Sequence, residues 1–203
     1  YEAFDLADEW RMPCMVLADG MIGQMMEGVE LPDSRDLKTL PQKNWAVGHK
    51  AEAKRDINHV TSLNLMPADL EKQNIERYKR YDVMKKTLQR SEEVNIDKAE
   101  LVIVAYGTSA RVALGALEMA KAEGIEIGLF RPITLWPFPE QRLSELAAKG
   151  KRFLVVEMSM GQMVEDVRLT VNGRSEVLFY GRCGGVIPTE EEVLAEIKRL
   201  LGK

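Results

Sequence analysis

The C-terminal half of the chain alternates short apolar runs with segments of helical spacing. Apolar residues fill consecutive positions at residues 101–105, 153–156 and 177–180, and they predominate at residues 125–130. Runs of this kind are typical of strands that are buried on both faces of a sheet. Because helical segments separate the runs, the pattern predicts an α/β domain in which helices cover both sides of a parallel sheet.

Glycine and capping residues delimit the predicted helices. Gly124 and Gly150 end two of them, and Thr189 with Glu192 forms the pattern of a capping box. The helices are predicted at residues 110–123, 140–149 and 163–171 and after Thr189. Ligands and partners of parallel sheets bind at the carboxyl ends of the strands. Those ends are predicted at residues 107–109, 131–132, 157–162 and 181–185.

The first thirty residues follow a pattern of helix, strand and helix. Apolar residues between Phe4 and Trp10 have helical spacing, and the apolar run at 14–18 predicts a short buried strand. Since the chain begins at Tyr1 with the helical pattern already under way, we interpret residues 1–30 as the end of a domain whose beginning is missing. The alternative is a processed or tagged small protein.

Residues 17–27 resemble residues 155–165. In each segment an apolar run is followed by an acidic residue, a short loop and Gly-Gln-Met at the start of a predicted helix. The acidic residues are Asp19 and Glu157. The period is too long for a solenoid, so the repeat suggests two α/β domains of related design, the first of them truncated.

Residues 31–66 are irregular and predict a linker or a segment that wraps a neighbour. A helix is expected after Pro67, where proline suits a first helical position. Its charged residues are interpreted as a solvated face. Its predicted apolar stripe consists of Leu70, Tyr78, Tyr81, Met84 and Leu88.

Charge and composition argue against several classes of function. The formal net charge is −4, which does not suit a generic binder of nucleic acid or anionic membranes. Two cysteines are too few for a disulfide framework, and His49 and His59 stand apart from any metal-ligand pattern. No apolar run reaches the roughly 18 residues of a membrane span, and no signal peptide is evident. The expected location is the cytoplasm.

Polar residues at the strand ends allow functional and structural interpretations. Gly107-Thr108-Ser109 could hold a phosphate at a helix N-terminus, but we favour a tight turn in which Thr108 or Ser109 caps the helix. Asp19 and Glu157 could serve as a base or a ligand, although such residues are more often helix caps or salt-bridge partners.

Sulfur-containing side chains form a second group of candidates. Met158, Met160 and Met163 cluster around one loop and suit either an interface or a core. Cys183 lies beside Arg182, which could make it a reactive thiol. The simpler interpretation of Cys183 is a buried small residue in a turn.

Five motifs together resemble the α subunits of 2-oxoacid:ferredoxin oxidoreductases of the 2-oxoisovalerate and 2-oxoglutarate type. They are Ala-Asp-Gly-Met-Ile-Gly-Gln-Met-Met-Glu at 18–27, Tyr-Gly-Thr-Ser-Ala-Arg at 106–111, Arg-Pro-Ile-Thr-Leu-Trp-Pro-Phe-Pro at 131–139, Glu-Met-Ser-Met-Gly-Gln-Met at 157–163, and Gly-Gly-Val-Ile-Pro-Thr at 184–189. Their order and spacing carry the resemblance, which covers nearly the whole chain. It is least distinctive in the irregular segment.

The resemblance implies a fold and a domain arrangement. Residues 92–203 would form a transketolase C-terminal-like domain, a three-layer α/β/α sandwich with a five-stranded, mostly parallel sheet. Its short first strand, at 92–95, would be antiparallel. Residues 1–34 would be the C-terminal end of a truncated pyrimidine-binding α/β domain for thiamine diphosphate. Residues 35–91 would be a linker loop and a charged helix.

The resemblance also implies an oxidative decarboxylation. A 2-oxoacid, coenzyme A and oxidised ferredoxin would give acyl-CoA, carbon dioxide and reduced ferredoxin, with thiamine diphosphate supplying the bond-breaking chemistry. In the family a separate β subunit holds the diphosphate and magnesium, and iron–sulfur clusters lie on other polypeptides or domains. The expected partners are therefore the β subunit, the iron–sulfur subunit and ferredoxin, without nucleic acid or membrane.

No residue is assigned a catalytic role, because the family's activating glutamate belongs to an earlier part of the subunit. The strand-end loops are instead expected at a subunit or domain interface near the active site, with a role mainly in assembly. The candidate residues are Asp19, Gly20, Gly23, Gln24, Thr108, Ser109, Arg131, Glu157, Gly161 and Gln162. Two alternatives remain. One is a fragment of a transketolase or deoxyxylulose phosphate synthase, against which the two Gly-Gln-Met motifs argue. The other is a free-standing α/β interaction module.

Overall fold

A computed structural model describes residues 1–41, 43–47 and 58–203. These residues form two compact units, Tyr1–Leu17 with Met25–Tyr81 and Ala18–Gln24 with Asp82–Lys203. The α-helices are α1 Glu2–Trp10, α2 Gly20–Gln24, α3 Pro67–Thr87, α4 Gly107–Ala122, α5 Glu140–Ala148, α6 Met163–Val171 and α7 Glu190–Leu201. The strands are β1 Ser91–Val94, β2 Leu101–Val104, β3 Ile127–Pro132, β4 Arg152–Glu157 and β5 Val177–Gly181.

The five strands form one sheet in the order β1-β3-β2-β4-β5. β1 pairs antiparallel to β3, with Glu92 opposite Arg131, and all the other neighbours are parallel. The observed sheet confirms the predicted five-stranded, mostly parallel arrangement and its short antiparallel first strand.

Alternate side chains of the strands enter two cores on opposite faces of the sheet. Leu101 and Ile103 of β2 lie in a core with residues of α4 and α7. Val102 and Val104, one position along, lie in a core with residues of α5 and α6. Since successive strand side chains point to opposite faces, β2 needs apolar residues at every position. The three-layer α/β/α architecture is thereby confirmed.

The predicted capping box is present at the start of α7. The Glu192 backbone N–H donates to Thr189 Oγ1 at 3.2 Å, and the Thr189 N–H donates to Glu192 Oε2 at 3.1 Å. Thr189→Ala should therefore lower the free energy of unfolding by about 1 kcal/mol, the usual cost of losing an N-cap. Urea unfolding of the chain measures this. Thr87→Ala, which makes the same change at an exposed threonine at the end of α3, is the control, and equal stabilities for the wild type and Thr189→Ala would contradict the prediction.

The first unit contains the largest departure from the predicted elements. Helix α1 forms as predicted, but the structure has no strand at residues 14–18, and Met15, Val16 and Leu17 are 79%, 78% and 63% exposed. A buried strand needs neighbouring strands that satisfy its backbone N–H and C=O groups. Among the described residues none lies beside this segment, so the prediction of a buried strand is wrong.

Helix α3 begins at Pro67 as predicted, but only part of its predicted apolar stripe is buried. Met84 is buried, whereas Tyr78 is 62% exposed and Leu70 is 39% exposed. Met84 belongs to the second unit, where the packed cores lie. The stripe prediction is therefore wrong for the N-terminal part of α3.

Candidate functional site

Several predicted site residues meet where the carboxyl end of β2 leads into α4. Helix α2, which carries Gly20, Gly23 and Gln24, belongs to the same compact unit as the sheet. It lies against the first residues of α4, and a Cβ added to Gly107 would lie 3.8 Å from Ile22 Cδ1. The structure thus brings the predicted residues of α2 to the N-terminus of α4.

Asp19 joins α2 to α4 through a single carboxylate. The N–H groups of Met21 and Ile22 donate to its Oδ1 at 3.1 and 3.0 Å. The Thr108 N–H donates to Oδ2 at 2.9 Å, and the Thr108 hydroxyl donates to Oδ1 at 2.8 Å. Asp19 therefore caps both helices. The structure supports the interpretation of Asp19 as a helix cap and not the interpretation as a base or ligand.

Hydrogen bonds control the ionisation of Asp19. Burial by itself would raise the pKa of the carboxyl, but the donors Ile22, Thr108 and Met21 outweigh it and hold the pKa below its ordinary value. A carboxyl with a depressed folded-state pKa contributes stability above its unfolded-state pKa of about 3.9, and this contribution is lost as the pH falls through the lower folded-state pKa.

Asp19→Asn should consequently destabilise the chain at pH 7 by about 1 kcal/mol, a typical value for a helix cap. The difference between wild type and variant should shrink as the pH falls below about 3.9, because the wild-type carboxyl is then protonated. Urea unfolding of both proteins at a series of pH values measures the difference. A difference that stays constant down to the acid limit would show that the Asp19 charge is not the source of the stability.

The prediction that Thr108 or Ser109 caps α4 is wrong. The helix begins at Gly107, its N-cap residue is Tyr106, and that residue makes no side-chain cap. Thr108 and Ser109 lie inside the first turn and are buried. The remote carboxylate of Asp19 takes the position that an anion would occupy at this N-terminus, so the geometry does not favour the phosphate interpretation either.

Glu157 is also a helix cap, at the carboxyl end of β4. It is 4% exposed and accepts hydrogen bonds from the N–H groups of Met163 and Val164, each at 3.0 Å, and of Gln162 at 3.2 Å. The Ser159 hydroxyl donates to it at 3.0 Å. Glu157 therefore caps α6. The two repeated acids thus have the same role, because each accepts hydrogen bonds from the first N–H groups of the helix that follows it. The rest of the repeat is not reproduced, since the described residues before Asp19 form no strand and Gln24 ends α2 instead of starting a helix.

Tyr106 lies within electrostatic reach of both Asp19 and Glu157, and sequence reasoning assigned it no role. Its side chain is 37% exposed. Burial raises the pKa of its phenol, and the negative charges of Glu157 and Asp19 raise it further. Tyr106 therefore remains a protonated hydrogen-bond donor at neutral pH. Its sequence signals were its position directly after the β2 run and at the start of the motif at 106–111.

The remaining predicted site residues separate into two groups. Arg131 does not join the others, because its guanidinium Nε donates to Glu92 Oε2 at 2.7 Å across the β1–β3 pair. Gln24 is the last residue of α2, Gln162 is the N-cap residue of α6, and both are exposed. Gly161 has a left-handed φ of +107°. Both glutamine side chains are therefore accessible at the surface.

The sulfur-containing candidates differ in how deeply they are buried. Met163 is buried, which confirms the core interpretation for that residue, whereas Met160 is 82% exposed and does not belong to the core. Cys183 is exposed, so the prediction that it is buried in a turn is wrong. It is followed by Gly184 and Gly185, whose added Cβ atoms would meet nothing within 4 Å. This open loop explains the exposure of Cys183.

The described residues contain neither a metal-ligand cluster nor a membrane-spanning helix. No group of three or more His, Cys, Asp and Glu residues among them could hold a metal ion. His49 lies outside the described residues. Among the helices that the structure describes, none is long and apolar enough to cross a membrane.

Comparison with known proteins shows which enzyme subunits the chain resembles. The family model described as pyruvate:ferredoxin oxidoreductase core domain II matches residues 99–193. The ketoisovalerate oxidoreductase subunit VorB of Methanothermobacter thermautotrophicus is 43% identical over 201 residues, which are 99% of this chain and 56% of that protein. The 2-oxoglutarate synthase subunit KorA of Methanothermobacter marburgensis is 28% identical over 218 residues, covering 96% of this chain and 58% of that protein.

A solved structure has the same fold. The 2-oxoglutarate:ferredoxin oxidoreductase from Magnetococcus marinus superposes with a TM-score of 0.59 at 20% sequence identity, covering 76% of this chain and 30% of that chain. The present chain spans a little over half the length of the curated relatives that it matches. The chain is therefore similar over nearly its whole length to subunits of 2-oxoacid:ferredoxin oxidoreductases, and residues 99–193 match core domain II of pyruvate:ferredoxin oxidoreductase.

Proposed function

We propose that the chain is part of the α subunit of a thiamine diphosphate-dependent 2-oxoacid:ferredoxin oxidoreductase. The enzyme would convert a 2-oxoacid, coenzyme A and oxidised ferredoxin to acyl-CoA, carbon dioxide and reduced ferredoxin. The observation that carries the proposal is 43% identity across 99% of the chain to a ketoisovalerate oxidoreductase subunit. Since the identity to the 2-oxoglutarate synthase subunit is 28%, 2-oxoisovalerate is the first candidate substrate and 2-oxoglutarate the second.

The described residues do not fit a binding site for magnesium and the diphosphate of the cofactor. The carboxylates at the carboxyl edge are those of Asp19 and Glu157, and both accept hydrogen bonds from helix N–H groups. A magnesium ion needs carboxylate oxygens that are not already committed to such donors. We therefore place the cofactor and magnesium on other parts of the complete enzyme, and the iron–sulfur clusters on other subunits or domains.

The role of this part of the enzyme is mainly assembly. Within the second unit, Met21, Gln24, Met160 and Gln162 are exposed near the carboxyl edge of the sheet. Exposed methionines adapt their shape to a partner, and a glutamine side chain offers both donors and an acceptor. These properties support an interface with the β subunit near the active site. The iron–sulfur subunit and ferredoxin would be the further partners, in the cytoplasm.

The domain boundaries are part of the same proposal. Residues 1–34 would end the pyrimidine-binding domain, residues 35–91 would link the domains, and residues 92–203 would form the transketolase C-terminal-like domain. The exposed apolar segment at residues 14–18 supports this division. Exposed apolar side chains of this kind mark a contact surface, and another part of the complete subunit would cover them.

Purification of the native complex that contains this chain tests the proposal. We expect further subunits to copurify, together with thiamine diphosphate, iron and acid-labile sulfide. A complex with thiamine diphosphate but no iron would favour a ketol-transferring enzyme. Recovery of a monomer without cofactor would favour a free-standing interaction module.

The interface residues can be tested separately in that complex. Gln24→Ala and Gln162→Ala should each weaken subunit association or turnover by about tenfold, the effect of losing a buried interface hydrogen bond. Sedimentation velocity and turnover of the complex measure the two effects. Gln73→Ala, an exposed glutamine on α3, is the control. Normal assembly and turnover of both Gln24→Ala and Gln162→Ala would contradict the interface role.

A further inference from the structure

The joint formed by Asp19 and Thr108 between α2 and α4 connects parts of the chain that are far apart in sequence. Asp19 and Thr108 are separated by 89 positions, yet two hydrogen bonds connect them. Helix α2 has five residues and none of them is buried. A helix this short is not stable through its own hydrogen bonds, so its position depends on contacts at its ends. The Asp19 carboxylate supplies such contacts on both sides of the joint.

The first residues of α4 are suited to receive this carboxylate. Gly107 has a left-handed φ of +59°, and a Cβ at this position would lie 2.8 Å from Asp19 Oδ2. Thr108 supplies both a backbone and a side-chain donor, and it is buried. Glycine at 107 therefore leaves room for the Asp19 carboxylate, and threonine at 108 supplies its hydrogen-bond donors.

We propose that Asp19 is a positioning residue, whose carboxylate fixes α2, and with it Gln24 and Met21, on the carboxyl edge of the sheet. This inference rests on the proposed function, because it assigns Asp19 to the interface near the active site. Asp19 acts through Thr108 and contacts no reacting atom. Loss of the joint would release α2 while the core of the sheet stays folded, since neither residue belongs to the two hydrophobic cores.

A double-mutant cycle in the complete enzyme tests the joint. Asp19→Asn replaces an acceptor of Thr108, and Thr108→Val removes the hydroxyl donor while retaining the backbone N–H. Hydrogen exchange of residues 20–24 and 107–110 should accelerate by about tenfold in Asp19→Asn. The double variant should exchange no faster than Asp19→Asn alone, because both changes break one joint. Thr108→Ser, which keeps the hydroxyl, should restore most of the protection.

Kinetics of the same variants separate positioning from general loss of structure. Turnover of Asp19→Asn should fall about tenfold while KM for the 2-oxoacid changes less than about twofold, because a positioning residue acts without binding the substrate. Asp33→Asn, which removes an exposed acid elsewhere in the chain, should change neither exchange nor turnover. Independent exchange of residues 20–24 and 107–110, or additive effects in the cycle, would overturn the inference. A wild-type enzyme that does not oxidise any 2-oxoacid would instead overturn the proposed function, and coupled exchange would still be visible.

Discussion

Replacement of Glu157 by glutamine should destabilise the chain by about 2–3 kcal/mol, because buried donors lose a charged acceptor. The carboxylate accepts from the N–H groups of Gln162, Met163 and Val164 and from the Ser159 hydroxyl, and it is almost fully buried. A glutamine retains one acceptor oxygen but places an NH₂ group among N–H donors. Urea unfolding monitored by circular dichroism measures the loss.

Glu118→Gln is the matched control for this change. Glu118 is exposed on α4, so the same substitution there should alter stability by less than about 0.5 kcal/mol. Hydrogen exchange of the first turn of α6 should accelerate in Glu157→Gln and not in the control. Equal stability of Glu157→Gln and wild type would mean that the cap of α6 does not depend on the carboxylate, and the shared structural role of Asp19 and Glu157 would fail.

Phe153→Ala should have the largest effect on stability, about 3–5 kcal/mol, the usual cost of removing a buried aromatic side chain. Phe153 lies on β4, is fully buried and packs in the core that contains residues of α5 and α6. Its loss leaves a cavity between the sheet and these helices, which the surrounding side chains can only partly fill. Thermal and urea unfolding measure the change.

Leu169→Ala is the control for this substitution, because Leu169 lies on α6 but is 76% exposed. It should cost less than about 0.5 kcal/mol. Phe153→Leu should cost less than Phe153→Ala because it retains most of the volume. If Phe153→Ala and Leu169→Ala were equally stable, β4 would not be a central element of the core as described.

The sheet and its helices could be predicted because their signals are local in sequence. Apolar residues at consecutive positions marked β2 and β4, and helix α6 spans Met163–Val171 as predicted. Its end is visible in the sequence because Asn172 adopts a left-handed φ of 48° and Gly173 follows it. Asparagine and glycine are the residues that accept this conformation at low cost.

The cap of α4 could not be predicted because its acceptor is remote. Local patterns pointed to Thr108 or Ser109, whereas the acceptor is Asp19, 89 positions away. The strand prediction at residues 14–18 was wrong for a related reason. An apolar run predicts a strand only where neighbouring strands pair with it. Among the described residues that neighbour is missing.

The most direct test of the account is reduction of a viologen dye by the complete native complex. The complex would be supplied with 2-oxoisovalerate, 2-oxoglutarate and pyruvate in turn, with and without coenzyme A and thiamine diphosphate. The account predicts reduction that requires both coenzyme A and thiamine diphosphate and is fastest with 2-oxoisovalerate. No reduction with any of the three acids would contradict it and would leave ketol transfer or an interaction module as the function to test.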